Sequence, residues 1–539
     1  MTYEELKKAY EKSVQERSKL EAEIEELKKS VEDKELKIEH LTELLLKRNK
    51  MLFGQKSEKG KYVDDGQMTL DGDVFNEAEA ESNPSAPEPT ENSVTKRKSR
   101  KTGKHRGRVA LRDDLEEKKV VYDIPENERI CDVCGEPLTE MTEELLTTRL
   151  CIIPEKVYLV KYYRKVYKCK NCETTGTKAN IVKAENKTPA CIIEKGLPDA
   201  SMAAYVMGMK YLLGTPLYRM EQYFKMQGIY LNRTSLANWV IAGAKWFAPV
   251  VRKFWEYAYL EPILNADETI IRVLKIKGKK VKKNGQMWIV CTGTAASRKI
   301  AIYTFRDSRT KETAEELLGD YTGIVQTDGF QSYGSGDYQN VGCWAHARRK
   351  FVDSIPEGVK NCKAAQTLKI LEEAFLLEAK AREDQLSPEQ ILKMRQEKVK
   401  PVIEDFYTFI EKLNPGKKTH LGEAVTYALN QKEKLIAFLD DPKIEMTNNL
   451  AERTVKPFVI ARKNFLFSAT DKGADASAAV MTIIETAKRN GLDVYQYLKY
   501  LLTVLPQWGT EPTDTQLNSV MPWSLALPPE CRKTHSEIQ

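Results

Sequence analysis

The stretch ILNADETIIRV (263–273) places a carboxylate, Asp267, at the end of a β-rich apolar run, where a strand is expected to stop. The stretch GIVQTDGFQSY (323–333) repeats this arrangement with Asp328. Residues 261–345 contain further β-type runs and one helical run, KETAEELLGD. Because antiparallel strands would come first and a crossover helix second, we expect a mixed sheet flanked by helices, with both aspartates on it.

A third carboxylate, Glu452, lies in the polar stretch EMTNNLAERTVKP (445–457). This stretch is typical of a helix start, with Thr447 or Asn448 as the N-cap. Asn448 and Asn449 would either cap the helix or support the carboxylate site. Two aspartates on strands and a glutamate on a helix can converge on one point and hold two Mg²⁺ or Mn²⁺ ions. Such a pair of ions clamps the attacking and leaving oxygens of a phosphodiester.

Together with CWAHARRKF (343–351), these stretches resemble the transposases of the insertion-sequence 66 family. The resemblance runs from LFGQKSEK (52–59) to MPWSLALPP (521–529). It implies a DDE enzyme with a ribonuclease-H-like core, whose catalytic and metal-binding residues would be Asp267, Asp328 and Glu452. The implied reaction is cleavage of DNA at the ends of an insertion sequence, followed by strand transfer into target DNA.

Two other functions stay open from the sequence. One is a DNA-binding regulator derived from a transposase without catalysis, which the intact set of carboxylates argues against. The other is a metal-dependent nuclease that cleaves without strand transfer. An assay with pre-cut 3′-hydroxyl ends separates that nuclease from a transposase.

We expect a multidomain α+β protein built from six successive parts. They are a coiled coil (1–50), a linker (51–108), a zinc-binding β-rich module (109–190), a helix-turn-helix-like segment (191–255), a catalytic domain (256–505) and a C-terminal element (506–539). The 124 residues between Asp328 and Glu452 exceed what a compact core needs. Residues 355–440 are therefore interpreted as a helical insertion, which the resemblance also implies.

The first part has a heptad pattern. Leu20, Leu27 and Leu41 share one position of the apolar seam, and Ile or Val occupies the other from Ile24 to Ile38. This arrangement favours a parallel two-stranded coiled coil, and hence a homodimer or a higher oligomer. The alternative is an amphipathic helix that packs on its own protein. Small accessory proteins, which usually accompany the family, are further possible partners.

The linker changes charge abruptly. Residues 62–95 carry nine Asp or Glu and no Lys or Arg, whereas residues 96–108 carry eight Lys or Arg and no acid. A basic block favours phosphate backbones through counterion release, although the bland alternative is a solvated linker. Net charge is +7 over 539 residues, so the distribution matters more than the total.

Two CxxC pairs mark the zinc-binding module, and their members are Cys131, Cys134, Cys169 and Cys172. Four thiolates match a structural Zn²⁺ site with no open position for water. The alternative is two unrelated, reduced pairs. The resemblance implies a zinc-binding domain at this place.

Cysteine usage also bears on the compartment. Ten cysteines without a signal peptide predict reduced thiols in the cytoplasm, and no apolar run is long enough to suggest a membrane span. Four cysteines have apolar or β-rich neighbours and are expected to be buried small residues rather than ligands. They are Cys151, Cys191, Cys291 and Cys343.

Residues 215–247 have the pattern of two helices around Gly228, with Asn232 or Thr234 as the cap of the second. At the exposed start of that helix, the residues expected to contact DNA are Arg233, Ser235 and Asn238. Many helical hairpins share this pattern, and the resemblance, which implies a helix-turn-helix-like segment here, favours DNA contact.

Basic residues accompany the carboxylates. Those expected to hold DNA phosphates near the metal ions are His346, Arg348, Arg349, Arg453, Lys456 and Arg462. Lys456 follows Glu452 by four residues and shares its helix face. The alternative for His346 is a packing role.

Four neighbouring carboxylates are rivals for the catalytic set, namely Glu268, Asp440, Asp441 and Glu445. Glu268 adjoins Asp267, but strand alternation directs it to the opposite face of the sheet. Asp440 belongs to DDPK, which is typical of a turn.

Overall fold

The computed structural model describes Lys19 and residues 157–163, 166–168, 181–183 and 190–532, apart from 195, 278, 281–283, 330, 334–335, 357–358 and 360. Except for Lys19, the predicted coiled coil and the linker lie outside these residues. So do the four cysteines predicted to bind zinc. The described chain falls into two compact units, one within residues 57–188 and one within residues 189–534.

In the smaller unit, β1 (Val166–Lys168) pairs antiparallel with β2 (Ile181–Lys183), and Tyr167 lies opposite Val182. The module that contains β1 was predicted to be β-rich, and the run KVYLVKYYRKVYKC (156–169) has that composition on both sides of the start of β1. Residues 157–163 instead belong to no strand, and Tyr158 is 75% exposed. A β-type composition favours a strand mainly where cross-strand neighbours are available to pack against it.

The larger unit begins with helices. They are α1 (Ala200–Met207), which continues as a π-helical turn to Leu212, α2 (Leu217–Met226), α3 (Arg233–Trp246) and α4 (Ala248–Tyr259). The chain between α2 and α3 turns at Gly228, whose φ of +78° glycine adopts without a Cβ penalty. Asn232 caps α3, since its side chain accepts a hydrogen bond of 2.8 Å from the Ser235 N–H. Of the two predicted caps, Asn232 is thus the one used.

A five-stranded mixed sheet forms the centre of the unit. Its strands are β3 (Ile263–Ile271), β6 (Gly285–Thr292), β7 (Ala301–Arg306), β8 (Ile324–Gln326) and β9 (Gln339–Val341), in the order β7-β6-β3-β8-β9. The β7-β6-β3 half is antiparallel, and the β3-β8-β9 half is parallel. Helix α5 (Lys311–Leu318) connects the two halves. The sequence predicted a crossover helix at this place, and parallel strands need such a connection.

The basic segment GKKVKKNG (278–285) has a composition that favours a turn joining two strands in a simple hairpin. β3 and β6 do pair antiparallel, but the chain between them leaves the central sheet. There β4 (Val273–Ile276) pairs with β5 (Lys279–Lys280) and, in parallel, with β10 (Ser468–Thr470). A distant segment therefore completes the tip of the hairpin, which local sequence could not reveal.

Helix α6 (Trp344–Asp353) follows the sheet, and the predicted insertion contains α7 (Lys363–Glu383), α8 (Pro388–Met394), α9 (Lys400–Glu411), α10 (His420–Asn430) and α11 (Lys432–Ile436). These helices form an apolar core with α6, separate from the core around the central sheet. Trp344 is fully buried there, and its indole N–H donates to the Leu435 carbonyl at 2.7 Å.

The chain returns to the sheet through α12 (Asn449–Phe465) and ends in α13 (Asp471–Arg489), α14 (Val494–Trp508) and α15 (Asp514–Ser519). Helices α13 and α14 separate near Gly491, whose φ is +69°. Thr482 and Thr486 of α13 accept hydrogen bonds from β7 backbone N–H groups at 2.9 and 3.1 Å. None of the helices described is long and apolar enough to cross a membrane.

Candidate active site

The register of the sheet brings the two aspartates to one edge. The parallel pairing of β3 with β8 runs as far as Asn265 beside Gln326. Asp267 and Asp328 each lie two residues beyond that pair. Because the two strands are parallel, the two aspartates lie at the same distance from the last paired residues. Asp267 was expected at the end of its strand. It instead lies inside β3, opposite Ile289 of β6, at the point where pairing with β8 has stopped.

Asn448 attaches the start of α12 to this edge. It occupies the N-cap position, but its side-chain hydrogen bonds go to the sheet rather than to the helix. Its amide nitrogen donates to the Ala266 carbonyl at 3.0 Å, and its amide oxygen accepts from Asn265 at 2.8 Å. Its backbone N–H donates to Cys343 Sγ at 3.0 Å. Glu452, in the first turn of α12, is therefore held on the side of β3 that carries Asp267.

Burial and the neighbouring carboxylates both disfavour the charged form of Asp267. The pKa of Asp267 is raised well above its usual range, first by burial and then by the nearby charges of Glu268, Asp328 and Glu452. Oε1 of Glu452 is buried and has no hydrogen-bond partner among the described residues. A cluster of oxygen ligands with an unsatisfied carboxylate oxygen fits a hard divalent cation, which would neutralise the repulsion.

Two residues of α6 flank Glu452. Arg349 Nη2 lies 3.5 Å from Glu452 Oε2, and His346 Nδ1 lies 3.6 Å from Glu452 Oε1. Burial lowers the pKa of His346, although the charges of Asp328 and Glu452 oppose this effect. One helix face thus directs an arginine and a histidine at the predicted catalytic glutamate.

Sequence reasoning missed Arg309. Its Nη2 lies 3.6 Å from Asp328 Oδ2 and also contacts Glu268, which in turn accepts a hydrogen bond from Tyr333. The side chain of Glu268, which alternation predicts to lie on the face opposite Asp267, is only 1% exposed. Burial raises the pKa of Glu268. Arg309 stands two residues before α5 in a loop, where no local pattern indicates a link to Asp328.

The other predicted DNA contacts are dispersed. Arg453 and Lys456 are exposed on α12, whereas Arg462 is half-buried and donates to Thr269 at 3.3 Å. Burial lowers the pKa of Arg462 to about 10. Arg348 is exposed and lies over the Phe375 ring of α7, 5.8 Å from its centroid.

At the start of α3, Arg233 and Asn238 are exposed and Ser235 is half-buried. The structure brings none of the three to the carboxylates by a described contact. They form a surface of their own on a capped helix end.

Comparison with known proteins assigns the chain to a family. The family model described as Transposase IS66 family matches residues 195–476, and the IS66 C-terminal element matches residues 482–523. The zinc-finger binding domain of transposase IS66 matches residues 128–173, which include both CxxC pairs and support a structural zinc ion. A fourth model, described as Transposase C of IS166 homeodomain, matches residues 40–120.

Curated relatives extend the similarity to nearly the whole chain. The uncharacterized protein y4jD of Sinorhizobium fredii is 28% identical over 517 residues, which cover 93% of this chain and 96% of the relative. The uncharacterized protein y4qI of the same organism is 30% identical over 396 residues, 70% of each chain. Since the transposase model alone spans more than half of the residues, the chain belongs to the IS66 transposase family.

Proposed function

We propose that this chain is a DDE transposase that cleaves the ends of an insertion sequence and joins them to target DNA. The observation that supports this most is the meeting of three carboxylates from β3, the end of β8 and the first turn of α12. Asp267, Asp328 and Glu452 would hold two Mg²⁺ or Mn²⁺ ions. When bound, these ions supply the activated water and the charge neutralisation for in-line displacement at phosphorus.

The chain's own residues position the reaction. Asn448 fixes Glu452 against β3, and Arg309 holds Asp328 from the opposite side. Arg349 and His346 orient the Glu452 carboxylate. Arg453 and Lys456, exposed beside it, would hold DNA phosphates. The five-stranded mixed sheet with its crossover helix supports a ribonuclease-H-like core, interrupted between Asp328 and Glu452 by the helical insertion.

The remaining parts would recognise and assemble the DNA. Arg233, Ser235 and Asn238 would contact bases or phosphates from the start of α3. Arg348 and Arg462 are weaker candidates for DNA contact, because Arg348 lies over Phe375 and Arg462 bonds Thr269. Cys131, Cys134, Cys169 and Cys172 would hold the structural Zn²⁺, and the N-terminal coiled coil would join two chains or dock an accessory protein.

Substitution of the carboxylates tests the proposal. Asp267→Asn, Asp328→Asn and Glu452→Gln should each abolish Mg²⁺-dependent cleavage of element-end DNA while leaving end binding largely intact. Asp440→Asn is the matched control, because Asp440 is an exposed carboxylate in the same chain. Near wild-type cleavage by any of the three would remove that residue from the catalytic set.

Pre-cut DNA ends with a free 3′-hydroxyl distinguish the related activities. Joining of these ends to target DNA by the wild type, and by Asp440→Asn, is the expected result. Cleavage without joining would indicate a nuclease. Binding without either reaction would indicate a regulator.

A further inference from the structure

Cys343, His346 and Glu452 form a cluster with the composition of a transition-metal site. One ligand atom from each residue lies within 4.8 Å of the ligand atoms of the other two. Cys343 occupies the N-cap position of α6 and is fully buried, and His346 lies in the first turn of the same helix. Glu452 reaches the pair from α12. Two helix starts thus bring a thiol, an imidazole and a carboxylate together.

Two atoms of this cluster are unsatisfied. His346 Nδ1 and Glu452 Oε1 are both buried, 3.6 Å apart, and neither has a hydrogen-bond partner within the described part of the chain. A buried nitrogen and a buried oxygen that face each other, with no hydrogen bond between them in the structure, can both serve as ligands of one cation. Ligand atoms around a tetrahedral Zn²⁺ are separated by roughly 3.4 Å, so this pair already has a suitable spacing.

We propose that Cys343, His346 and Glu452 bind a thiophilic divalent cation such as Zn²⁺, and that this ion inhibits the reaction by competing for Glu452. A thiolate and an imidazole select Zn²⁺ over Mg²⁺, which prefers oxygen ligands. Binding displaces the proton of the Cys343 thiol to solvent, and Cys343 Sγ must approach by at most about 1.4 Å. The side chains of His346 and Glu452 are 22% and 18% exposed, whereas the two atoms that would bind the cation are buried.

The inhibitory part of this inference rests on the proposed role of Glu452. Its carboxylate has one oxygen directed at His346 and the other at Arg349. A cation that takes the first oxygen would hold the carboxylate beside α6, so that this oxygen would no longer be available to a Mg²⁺ ion at Asp267 and Asp328. Zn²⁺ would then lower activity at a Mg²⁺ concentration that otherwise supports it.

Metal binding is tested first, by a measurement that does not depend on catalysis. Weakly bound Zn²⁺ is first removed from the full-length protein by dialysis against a competing chelator, because Zn²⁺ would otherwise exclude Co²⁺ from the proposed site. Co²⁺ is then added, and the absorption of thiolate bound to Co²⁺ is recorded. Cys343→Ser should lose part of this absorption relative to wild type, since serine keeps a suitable helix cap but offers no thiolate. Cys362→Ser is the matched control, because Cys362 is also buried at a helix N-cap, that of α7.

Identical Co²⁺ spectra for wild type, Cys343→Ser and Cys362→Ser would overturn the metal site. Cys343→Ser could also perturb the fold, so His346→Gln provides a second variant, which should weaken Co²⁺ binding while retaining the thiol. Unchanged binding in His346→Gln would equally contradict the site.

Inhibition is tested second, with each variant normalised to its own cleavage rate without Zn²⁺. The Zn²⁺ concentration for half-inhibition should rise at least about tenfold in Cys343→Ser and stay unchanged in Cys362→Ser. Equal sensitivity in all proteins would overturn the inhibitory role. Absence of Mg²⁺-dependent cleavage in wild type would contradict the proposed transposase function instead, while the Co²⁺ spectra would still decide the metal site.

Discussion

Asn448 is the residue on which the placement of Glu452 relative to Asp267 depends most. Asn448→Ala would leave the Ala266 carbonyl and the Asn265 amide without their buried partner, at a cost of about 1–3 kcal/mol. We expect lower thermal stability and a larger proportional loss of cleavage. Asn449→Ala is the control, because Asn449 is the adjacent, exposed asparagine of the same helix start. Equal loss of cleavage in both variants would show that Asn448 has no special role.

Lys210 gives the protein a predictable dependence on pH. Burial lowers its pKa from 10.5 to about 8, although its Nζ lies 3.9 Å from the Phe465 ring centroid, a contact that favours the charged form. Between these values the unfolded chain binds more protons than the folded one, so stability rises with pH across this window. Below pH 8, where the buried Lys210 side chain is charged, the free-energy cost of its burial is fully present.

Lys210→Met should remove this cost. We expect the variant to exceed wild type in free energy of unfolding at pH 7, and the difference to shrink towards pH 10. Urea unfolding followed by tryptophan fluorescence at both pH values measures it. A difference that stays constant with pH would mean that Lys210 is not the group responsible.

At the residue scale, the sequence predicted the carboxylates because each follows a recognisable local pattern. Asp267 and Asp328 follow apolar β-type runs, and Glu452 follows a helix start. Arg309 has no such pattern, and its link to Asp328 depends on the folding of the α5 loop against β8. Asn448 was predicted either to cap its helix or to support the carboxylate site. The hydrogen bond from its side chain to the Ala266 carbonyl favours the second role, and this contact arises from tertiary packing.

At the scale of elements, the helical insertion supports the sheet edge directly. Tyr427 of α10 donates a hydrogen bond of 2.7 Å to the backbone carbonyl of Asp328. The next residue, Gly329, has φ +83°, and a Cβ there would lie 2.8 Å from the Tyr427 hydroxyl. Lys350 of α6 lies over the Tyr427 ring, 4.9 Å from its centroid. The insertion is therefore part of the structure that positions Asp328.

Tyr427→Phe should slow cleavage by roughly threefold to tenfold, because one hydrogen bond that fixes the Asp328 backbone is lost. The Mg²⁺ concentration for half-maximal cleavage should rise as well, which a purely structural role would not require. Tyr407→Phe makes the same chemical change within the insertion, at a hydroxyl that bonds the Ala428 carbonyl at 3.4 Å. If both variants shift the Mg²⁺ requirement equally, Tyr427 does not position Asp328.

The hydrophobic pattern of the sequence predicts most helices and the strands of the central sheet. It does not predict the contacts that these elements make with distant segments of the chain. The helical character of 355–440 was evident from the sequence. The contact of Tyr427 with Asp328 spans 99 residues and carries no local pattern. The pairing of β10 with β4 is similar, since a three-residue strand is too short to be recognised from its composition.

At the scale of the whole molecule, self-association is predicted to reside in the N-terminal heptads. Deletion of residues 1–49 should reduce association in sedimentation experiments and spare the catalytic core. Polar replacements at Ile24 and Leu27 should reproduce the deletion, because both lie on the seam, whereas replacement of Glu25 should not. A truncated chain that associates as strongly as the full one would place the main dimer contact elsewhere.

The packing of α3 also has a consequence for incomplete copies of the protein. Its buried face, with Trp239 and Val240, shares a core with α13 and α14, and a Cβ at Gly243 would lie 3.4 Å from Leu502 Cδ2. A ribosome that adds about 5–20 residues per second makes Leu502 roughly 10–50 s after α3. During that interval the part of this face that packs on α13 and α14 has no cover, although Met207 of α1 covers another part. Prematurely terminated chains keep the uncovered part exposed, so they are expected to be degraded or to aggregate rather than to compete with the intact protein for DNA.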